Sequence, residues 1–340
     1  MKIVVDIYGG DNAPDAVLQG CRDALVKDKT LRLILTGKER EILSYLKQNA
    51  VDMSRVEVVD APDVVTNDDV PTQVIRSKPD SSLITALRIM KENPEAAGFV
   101  TAGSTGAALT GAALLIGRIK GIQRPALAPV MPTVNRKHAI LVDCGANMDC
   151  KPEYLHQFAV LGSSYMKAVF NIERPRVALM SVGTEDKKGN ELTHAAFKLI
   201  KASSLNFVGN MEARDMLSGD YDVIVCDGFI GNVAIKSMEG AIGMTVSILK
   251  EEIKARGASK FGYLFMKPTF AALKNRLDYS ALGGAAFLGC EKVVIKSHGS
   301  SKADSITASI FKAKMMAEAK IVDLVRDELA KELPQEALSL

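Results

Sequence analysis

Short β-branched runs alternate along most of this chain with amphipathic stretches of helical period, and that alternation is the tightest constraint on its fold. Strand candidates are Lys2–Ile7, Leu31–Thr36, Val56–Asp60, Gly98–Thr101, Ala139–Asp143, Arg176–Val182, Asn206–Val208 and Asp222–Cys226. Between most of them lie Pro14–Lys27, Glu39–Gln48, Ser82–Glu92 and Leu155–Phe170, with apolar residues three and four apart. Strands separated by helices build βαβ units, so the expected class is α/β: a three-layer αβα unit around a mainly parallel, Rossmann-like sheet. No repeat or Pro/Gly-rich linker interrupts residues 1–330, which read as one unit, with 331–340 as a C-terminal tail. Ala61–Asp80 is the longest candidate loop. Ala303–Lys331 reads as one or two packing helices with Ile306, Ile310, Met315, Ile321, Leu324 and Val325 on the apolar side.

Composition narrows the class of function. Of 340 residues, 47% are hydrophobic and 24% charged, with no low-complexity run, which describes a folded chain. The net charge of +3 is too small to argue for nucleic acid, and no nucleic-acid-binding pattern is present. Five cysteines at irregular spacing read as reduced thiols rather than a disulfide framework or a zinc site. The start "MKIVVDIYGGD" enters a strand at once, so no export signal is expected. The best candidate for a membrane span, Ala107–Gly117, is too short and contains Thr110 and Gly111. The expectation is a cytoplasmic protein, attached at most to a membrane surface.

Parallel α/β sheets bind ligands where strand carboxyl ends meet helix N-termini. Here those ends are rich in glycine and polar residues: "DIYGGD" (6–11), "TAGSTG" (101–106), "DCGAN" (143–147), "SVGTEDKKGN" (181–190), "CDGFIGN" (226–232) and "KSHGSS" (296–301). One such turn is ordinary loop chemistry. Six would surround a crevice with backbone N–H groups, hydroxyls and a few charges. In "TAGSTG", Gly103 and Gly106 permit close backbone approach, Ser104 and Thr105 offer hydroxyls, and a following helix would aim free N–H groups at an anion, phosphate above all. Ser104 as a plain helix cap is the alternative, and both can hold. Neither G-x-x-x-x-G-K-[ST], G-x-G-x-x-G nor G-x-S-x-G is present, which disfavours NTPases, standard dinucleotide folds and serine hydrolases. Of the four histidines only His298 is retained as a candidate, and no metal-ligand spacing occurs.

In this order, "DIYGGDNAP", "TAGSTGA", "DCGAN", "VGTEDKKGNEL", "CDGFIGN" and "KSHGSS" closely resemble the phosphate acyltransferase family of bacterial phospholipid synthesis, over about Lys2 to Val325. The resemblance implies a fold similar to isocitrate and isopropylmalate dehydrogenases and phosphotransacetylases. It implies transfer of a fatty acyl group from acyl-carrier protein to inorganic phosphate, with the acyl-phosphate passed to a partner glycerol-3-phosphate acyltransferase. It also implies a homodimer; neither a cofactor nor a metal is expected.

That chemistry asks for a cation and preorganised donors more than for a strong acid or base. Phosphate is already an anionic nucleophile, and a thiol of pKa about 8.5 leaves readily. Lys187 is the candidate for holding phosphate and Asn232 the candidate amide donor to the oxyanion, both in motifs that the resemblance assigns to the active site. Lys188 shares the lysine pair, whose other reading is a solvated turn. Asp227, Asp186, Glu185 and Asp6 are candidates to orient the lysine or take a proton, or else cap turns. The remaining candidate substrate contacts are Gly9, Gly10, Asp11, Asn147, Gly183, Thr184, Gly228, Ser300 and Ser301. Cys144 and Cys226 raise a covalent acyl-cysteine route, but lack a basic sequence neighbour; direct transfer is preferred.

A second feature stands apart. No acidic residue occurs between Glu252 and Asp278, whereas Lys254, Arg256, Lys260, Lys267, Lys274 and Arg276 frame the apolar Phe261, Leu264, Phe265, Met266, Phe270 and Leu273. This pattern suits a surface-lying helix on lipid, an acidic carrier-protein face or a hairpin buried in a dimer, with a break at Pro268. Two further functions stay open: a phosphotransacetylase-like enzyme using acyl-CoA, and a non-catalytic membrane scaffold for lipid-synthesis enzymes. A decarboxylating dehydrogenase would need a nicotinamide site and an aspartate cluster, and neither pattern is found.

Overall fold

The computed structural model describes residues 1–255, 265–270, 272–273 and 282–332. The chain opens with β1 (Lys2–Asp6), α1 (Asp15–Lys27), β2 (Leu33–Gly37), α2 (Glu39–Gln48) and β3 (Val56–Asp60). These form two parallel crossovers, β1 pairing with β2 and β2 with β3. After the short α3 (Val74–Ser77), α4 (Ser82–Glu92) leads to β4 (Ala96–Thr101), which pairs parallel to β1 on the side away from β2. The strand order therefore reverses beside β1, and a ligand crevice opens there at the carboxyl ends. α5 (Thr105–Gly111) continues as a wider helical turn to Ile116 before the edge strand β5 (Ala126–Ala128).

Two residues later the chain enters a second sheet. β6 (Val130–Pro132), β7 (His138–Val142), β8 (Val177–Ser181), β9 (Phe207–Glu212) and β10 (Val223–Val225) are ordered β6-β7-β10-β8-β9, parallel except for β6. α6 (Pro152–Phe170) and α7 (Glu191–Lys201) make its crossovers, and α8 (Gly228–Ala255) leaves from β10. The chain then returns to the first sheet with β11 (Ala285–Leu288) and β12 (Val293–Lys296), completing the order β3-β2-β1-β4-β12-β11-β5. α9 (Ala303–Glu318) packs over the first sheet on β4 and β12, and α10 (Ile321–Glu332) packs against α6.

The strands are near-continuous apolar runs because both faces are covered: β2 and β10 are buried throughout. α6 is buried from Leu155 to Met166, so it behaves as a core helix rather than an amphipathic one. Gly162 lets it sit directly on β10, since a Cβ there would lie 2.5 Å from Val223 Cγ1. One cluster of buried side chains runs from Ile3 and Val5 through Leu155, Phe158 and Tyr165 to Val177 and Val223, tying the two sheets together.

The parallel strands lie within two residues of their expected starts. β9 runs on to Glu212, beyond the expected Val208. The antiparallel β5, β6 and β11 carry no distinctive pattern, being three or four residues long. The C-terminal stretch is two helices separated at Lys320, which has a φ of 50°. On α9 it is Met316 that enters the core, while Met315 points to solvent, because the buried stripe passes through Ile306, Ile310 and Ala313. The expected break at Pro268 is absent: residues 265–270 form one helical run. Within that run Phe265 and Lys267 are exposed and Phe270 is partly buried, and Leu273 beyond it is exposed. The side chain of Lys254, together with Arg256, Lys260, Phe261, Leu264, Lys274, Arg276 and the end of the expected tail, lies outside the described residues. Among the described residues no helix is long and apolar enough to cross a membrane.

Candidate active site

The carboxyl ends of β1, β4 and β12 meet those of β7 and β10 around a cleft of about 670 Å³. One wall is made by backbone approaching backbone. Gly9 lies against the turn after β4, where a Cβ would come within 2.7 Å of the Gly103 nitrogen and 2.5 Å of Asp6 Oδ2. Gly10, with a φ of +104°, adopts a conformation that L side chains rarely take. The turn after β1 is then stitched to the loop after β12: Asp11 N donates to Gly299 O at 2.8 Å, and Asn12 Nδ2 donates to Ser300 O at 3.0 Å. Gly103 N donates to Thr101 Oγ1 at 2.9 Å, and Thr101 Oγ1 donates to Asp6 Oδ2 at 2.7 Å.

Ser104 occupies the N-cap position of α5 without making a side-chain cap bond, so its hydroxyl is available to the cleft it lines. Thr105, Gly10, Asp11, Gly103, His298 and Ser301 line it too. Gly106 does not; it packs on Pro71, with a Cβ placed 2.8 Å from that ring.

The opposite wall depends on Asp143, which is wholly buried. Its Oδ1 accepts from the Leu127 and Cys144 amides at 2.9 and 2.7 Å, and its Oδ2 accepts from Asn147 N and Nδ2 at 2.7 and 2.9 Å. Burial raises the Asp143 pKa, and these donors pull against it. Asn147 is thus spent on the turn, its amide also reaching Pro125 O at 2.8 Å, and it does not line the cleft. Asp227 caps α8 by accepting from Ile230 N at 2.8 Å. Gly228 and Gly231 let the first turn of α8 lie on the Asp143–Asn147 turn; a Cβ on Gly231 would fall 2.0 Å from Asp143 O. That contact holds Asn232 in the cleft, over Gly145.

The loop after β8 goes elsewhere. Lys187 and Asp186 border a separate depression with His194, Phe197, Lys198 and Lys201. Asp186 pairs with Lys201 at 2.9 Å, and the Lys187 carbonyl lies 3.0 Å from His194 Nε2. Glu185 and Lys188 close the turn through Lys188 N donating to Glu185 O, and Asn210 Nδ2 donates to the same carbonyl at 2.8 Å. Neither lysine, nor Gly183, Thr184, Glu185 or Asp186, lines the main cleft.

Several cleft residues escaped sequence reasoning. Lys236 and Glu239 face it from α8, paired at 2.8 Å, and Val64, Val65, Thr66 and Asn67 reach it from the long loop before α3. Lys296, the first residue of the quoted "KSHGSS" though not among the candidate contacts, lines it as the last residue of β12. The sign of Lys296 in the sequence is a lysine that closes the apolar run Val293–Ile295, at the position where a parallel strand delivers side chains to a ligand.

Burial governs the thiols nearby. It pushes Cys144 up to about 12 and Cys226 well above its ordinary value, with Asp143 adding to both. Both therefore stay protonated, and neither is a ready nucleophile. Among the described residues no group of three or more His, Cys, Asp or Glu side chains is placed to hold a metal ion.

The family model described as "Fatty acid synthesis protein" matches residues 1–324. The phosphate acyltransferase of Clostridium acetobutylicum is 44% identical over 329 residues, covering 97% of this chain and 99% of that protein. This chain belongs to the phosphate acyltransferase family. The Clostridium kluyveri phosphate acyltransferase is similar at 43% identity over 331 residues, covering 97% of this chain and 98% of that one. Among solved structures, the EutD phosphotransacetylase from Staphylococcus aureus shares the fold, with a TM-score of 0.60 and 18% identity across 93% of this chain and 94% of that one. Family membership makes the chain an acyltransferase of fatty acid and lipid synthesis that acts with phosphate.

Proposed function

We propose that the enzyme moves a fatty acyl group from the thioester of acyl-carrier protein to inorganic phosphate, releasing acyl-phosphate and the carrier thiol. The observation that carries this reading is the cleft itself. One wall offers a polar turn, Gly103–Thr105, with hydroxyls and backbone amides, and the other offers the Asn232 amide, while every cysteine beside them is held protonated. Phosphate attacks the thioester carbonyl directly, the Asn232 amide donates to the developing oxyanion, and the thiolate departs. The apolar Val64, Val65, Leu127, Pro129 and Ile235 give the acyl chain a dry lining in the same cleft.

Lys187 stands in this reading as a further cation on the loop after β8. The acyl-phosphate serves a partner glycerol-3-phosphate acyltransferase, and the enzyme works as a homodimer at a membrane surface in the cytoplasm. The exposed Met244, Ile248 and Phe265 support that placement, as apolar side chains facing outward on helical segments.

The test is steady-state turnover of long-chain acyl-carrier protein by wild type, Asn232→Ala and Lys187→Ala, with acyl-CoA as a parallel substrate. Loss of one preorganised donor should lower Asn232→Ala turnover by roughly 10² to 10³. Preference for short-chain acyl-CoA would favour the phosphotransacetylase-like alternative, and biological activity that survives both substitutions would favour the scaffold.

A further inference from the structure

Four strands of the larger sheet end in a row of polar side chains. Thr36 is the register partner of Asp6, and Lys296 is the partner of Thr101. Thr101 falls beside Asp6 by continuation of the Val5–Val100 pairing. All four are buried, with Lys296 7% exposed and Asp6 2%. In a sheet covered on both faces these positions are ordinarily apolar, and burying a carboxylate and an ammonium is costly unless they are well compensated.

The compensation is incomplete, and of the two ions it is Lys296 that lines the cleft. Asp6 Oδ2 is held by Thr101, whereas Oδ1 has no partner at hydrogen-bond geometry. Lys296 Nζ donates to Ala102 O at 3.2 Å and to Ser297 O, which leaves one of its three N–H groups. Among the described residues it makes no close ion pair. The other cleft lysine, Lys236, is engaged by Glu239, and Lys187 and Lys188 lie outside the cleft.

We propose that Lys296 is the cation and proton carrier of this site: its ammonium binds the attacking phosphate and protonates the departing sulfur, with Asp6 behind Thr101 as its buried counter-charge. The proposal rests on the reading of the cleft as an acyl-thioester and phosphate site. The atoms balance without an external acid. An oxygen of HPO₄²⁻ forms the bond to the carbonyl carbon, the C–S bond breaks, and the thiolate takes a proton from Lys296 Nζ. The neutral amine then takes the proton remaining on the acyl-phosphate, so the enzyme returns to its starting state. Burial brings Lys296 down to about 8, against the pull of Asp6 and Asp11, close to the value of an ordinary thiol. Burial raises Asp6, while Ser82, Thr101 and the Tyr8 backbone and, least of all, the charge of Lys296 pull the other way. The other charged or titratable groups facing this space are Tyr8, Cys144, His298, Lys236 and Glu239.

The experiment is a pH profile of phosphate-dependent thioester loss with the full-length enzyme, long-chain acyl-carrier protein and inorganic phosphate. Wild type should lose kcat/KM on the alkaline side near the Lys296 pKa. Lys296→Arg keeps the charge but cannot give up a proton. Its KM for phosphate should therefore stay within about threefold, its kcat should fall about 10²-fold, and the alkaline limb should vanish. Asp6→Asn removes the counter-charge and should move the limb to lower pH. Lys296→Gln should lose both phosphate affinity and turnover; should it fail to fold, the Arg and Asp6 variants decide. Lys296→Gln within threefold of wild type, or a limb unmoved in both other variants, overturns the assignment. Absence of phosphate-dependent turnover in wild type would instead remove the reading beneath it.

Discussion

Replacing Lys312 by methionine should flatten the dependence of stability on pH. Lys312 lies on α9, 4% exposed; its Nζ donates to Gly284 O at 2.8 Å and stands 5.6 Å from the centre of the Tyr165 ring. Burial brings its pKa from 10.5 down to about 7. Between those values the unfolded chain holds a proton that the folded chain has released, so folding is favoured as pH rises through this window. Below pH 7 both states are protonated, and the folded state carries the full cost of the buried ammonium. The slope is at most about 1.4 kcal/mol per pH unit, which over about 3.5 units sets a ceiling of about 5 kcal/mol. Methionine removes the titration and one hydrogen bond worth about 1 kcal/mol. The variant should therefore be the more stable protein at pH 6, by a few kcal/mol, and lose that advantage near pH 10. Urea midpoints of both proteins at pH 6, 7.5 and 9 measure this. A gap between them that stays constant across pH would refute the reasoning.

Other outcomes follow from the walls of the cleft. Gly231→Ala puts a Cβ 2.0 Å from Asp143 O, a backbone atom that cannot swing aside, so the start of α8 must move. Turnover should drop by at least about 10², since Asn232 moves with it, and wild-type kinetics would contradict the placement. Asp143→Ala takes the acceptor from the Leu127, Ala146 and Asn147 backbone amides and should cost about 3 kcal/mol or more, read as a lower denaturation midpoint. Cys144→Ser should keep turnover within about threefold, because the thiol is held protonated; loss of transfer would revive the acyl-cysteine route.

The parallel strands were legible because burial on both faces writes them as unbroken β-branched runs, as in "KIVV" and "VIV". The second sheet was not, since alternation of strand and helix continues unchanged from the first sheet into it. The short antiparallel β5, β6 and β11 were hidden because their pairing is set by tertiary contact rather than by their own pattern. The glycine-rich strand ends found the cleft, and Asn232, Ser104 and His298 line it. The same criterion also selected Lys187, which stands at a strand end of the smaller sheet facing another depression. Strand-end position does not show which way a loop turns. Lys296 opens the quoted "KSHGSS" but was not singled out, because it closes the strand rather than the loop, and only register with Thr101 shows what surrounds it.

The central claim is that phosphate is the acyl acceptor. Incubating the full-length enzyme with long-chain acyl-carrier protein and isotopically labelled phosphate tests it directly. The account predicts one label recovered in acyl-phosphate for each thioester lost, and no loss of thioester when phosphate is withheld. Thioester loss that proceeds without phosphate, or without label in the acyl product, would contradict it.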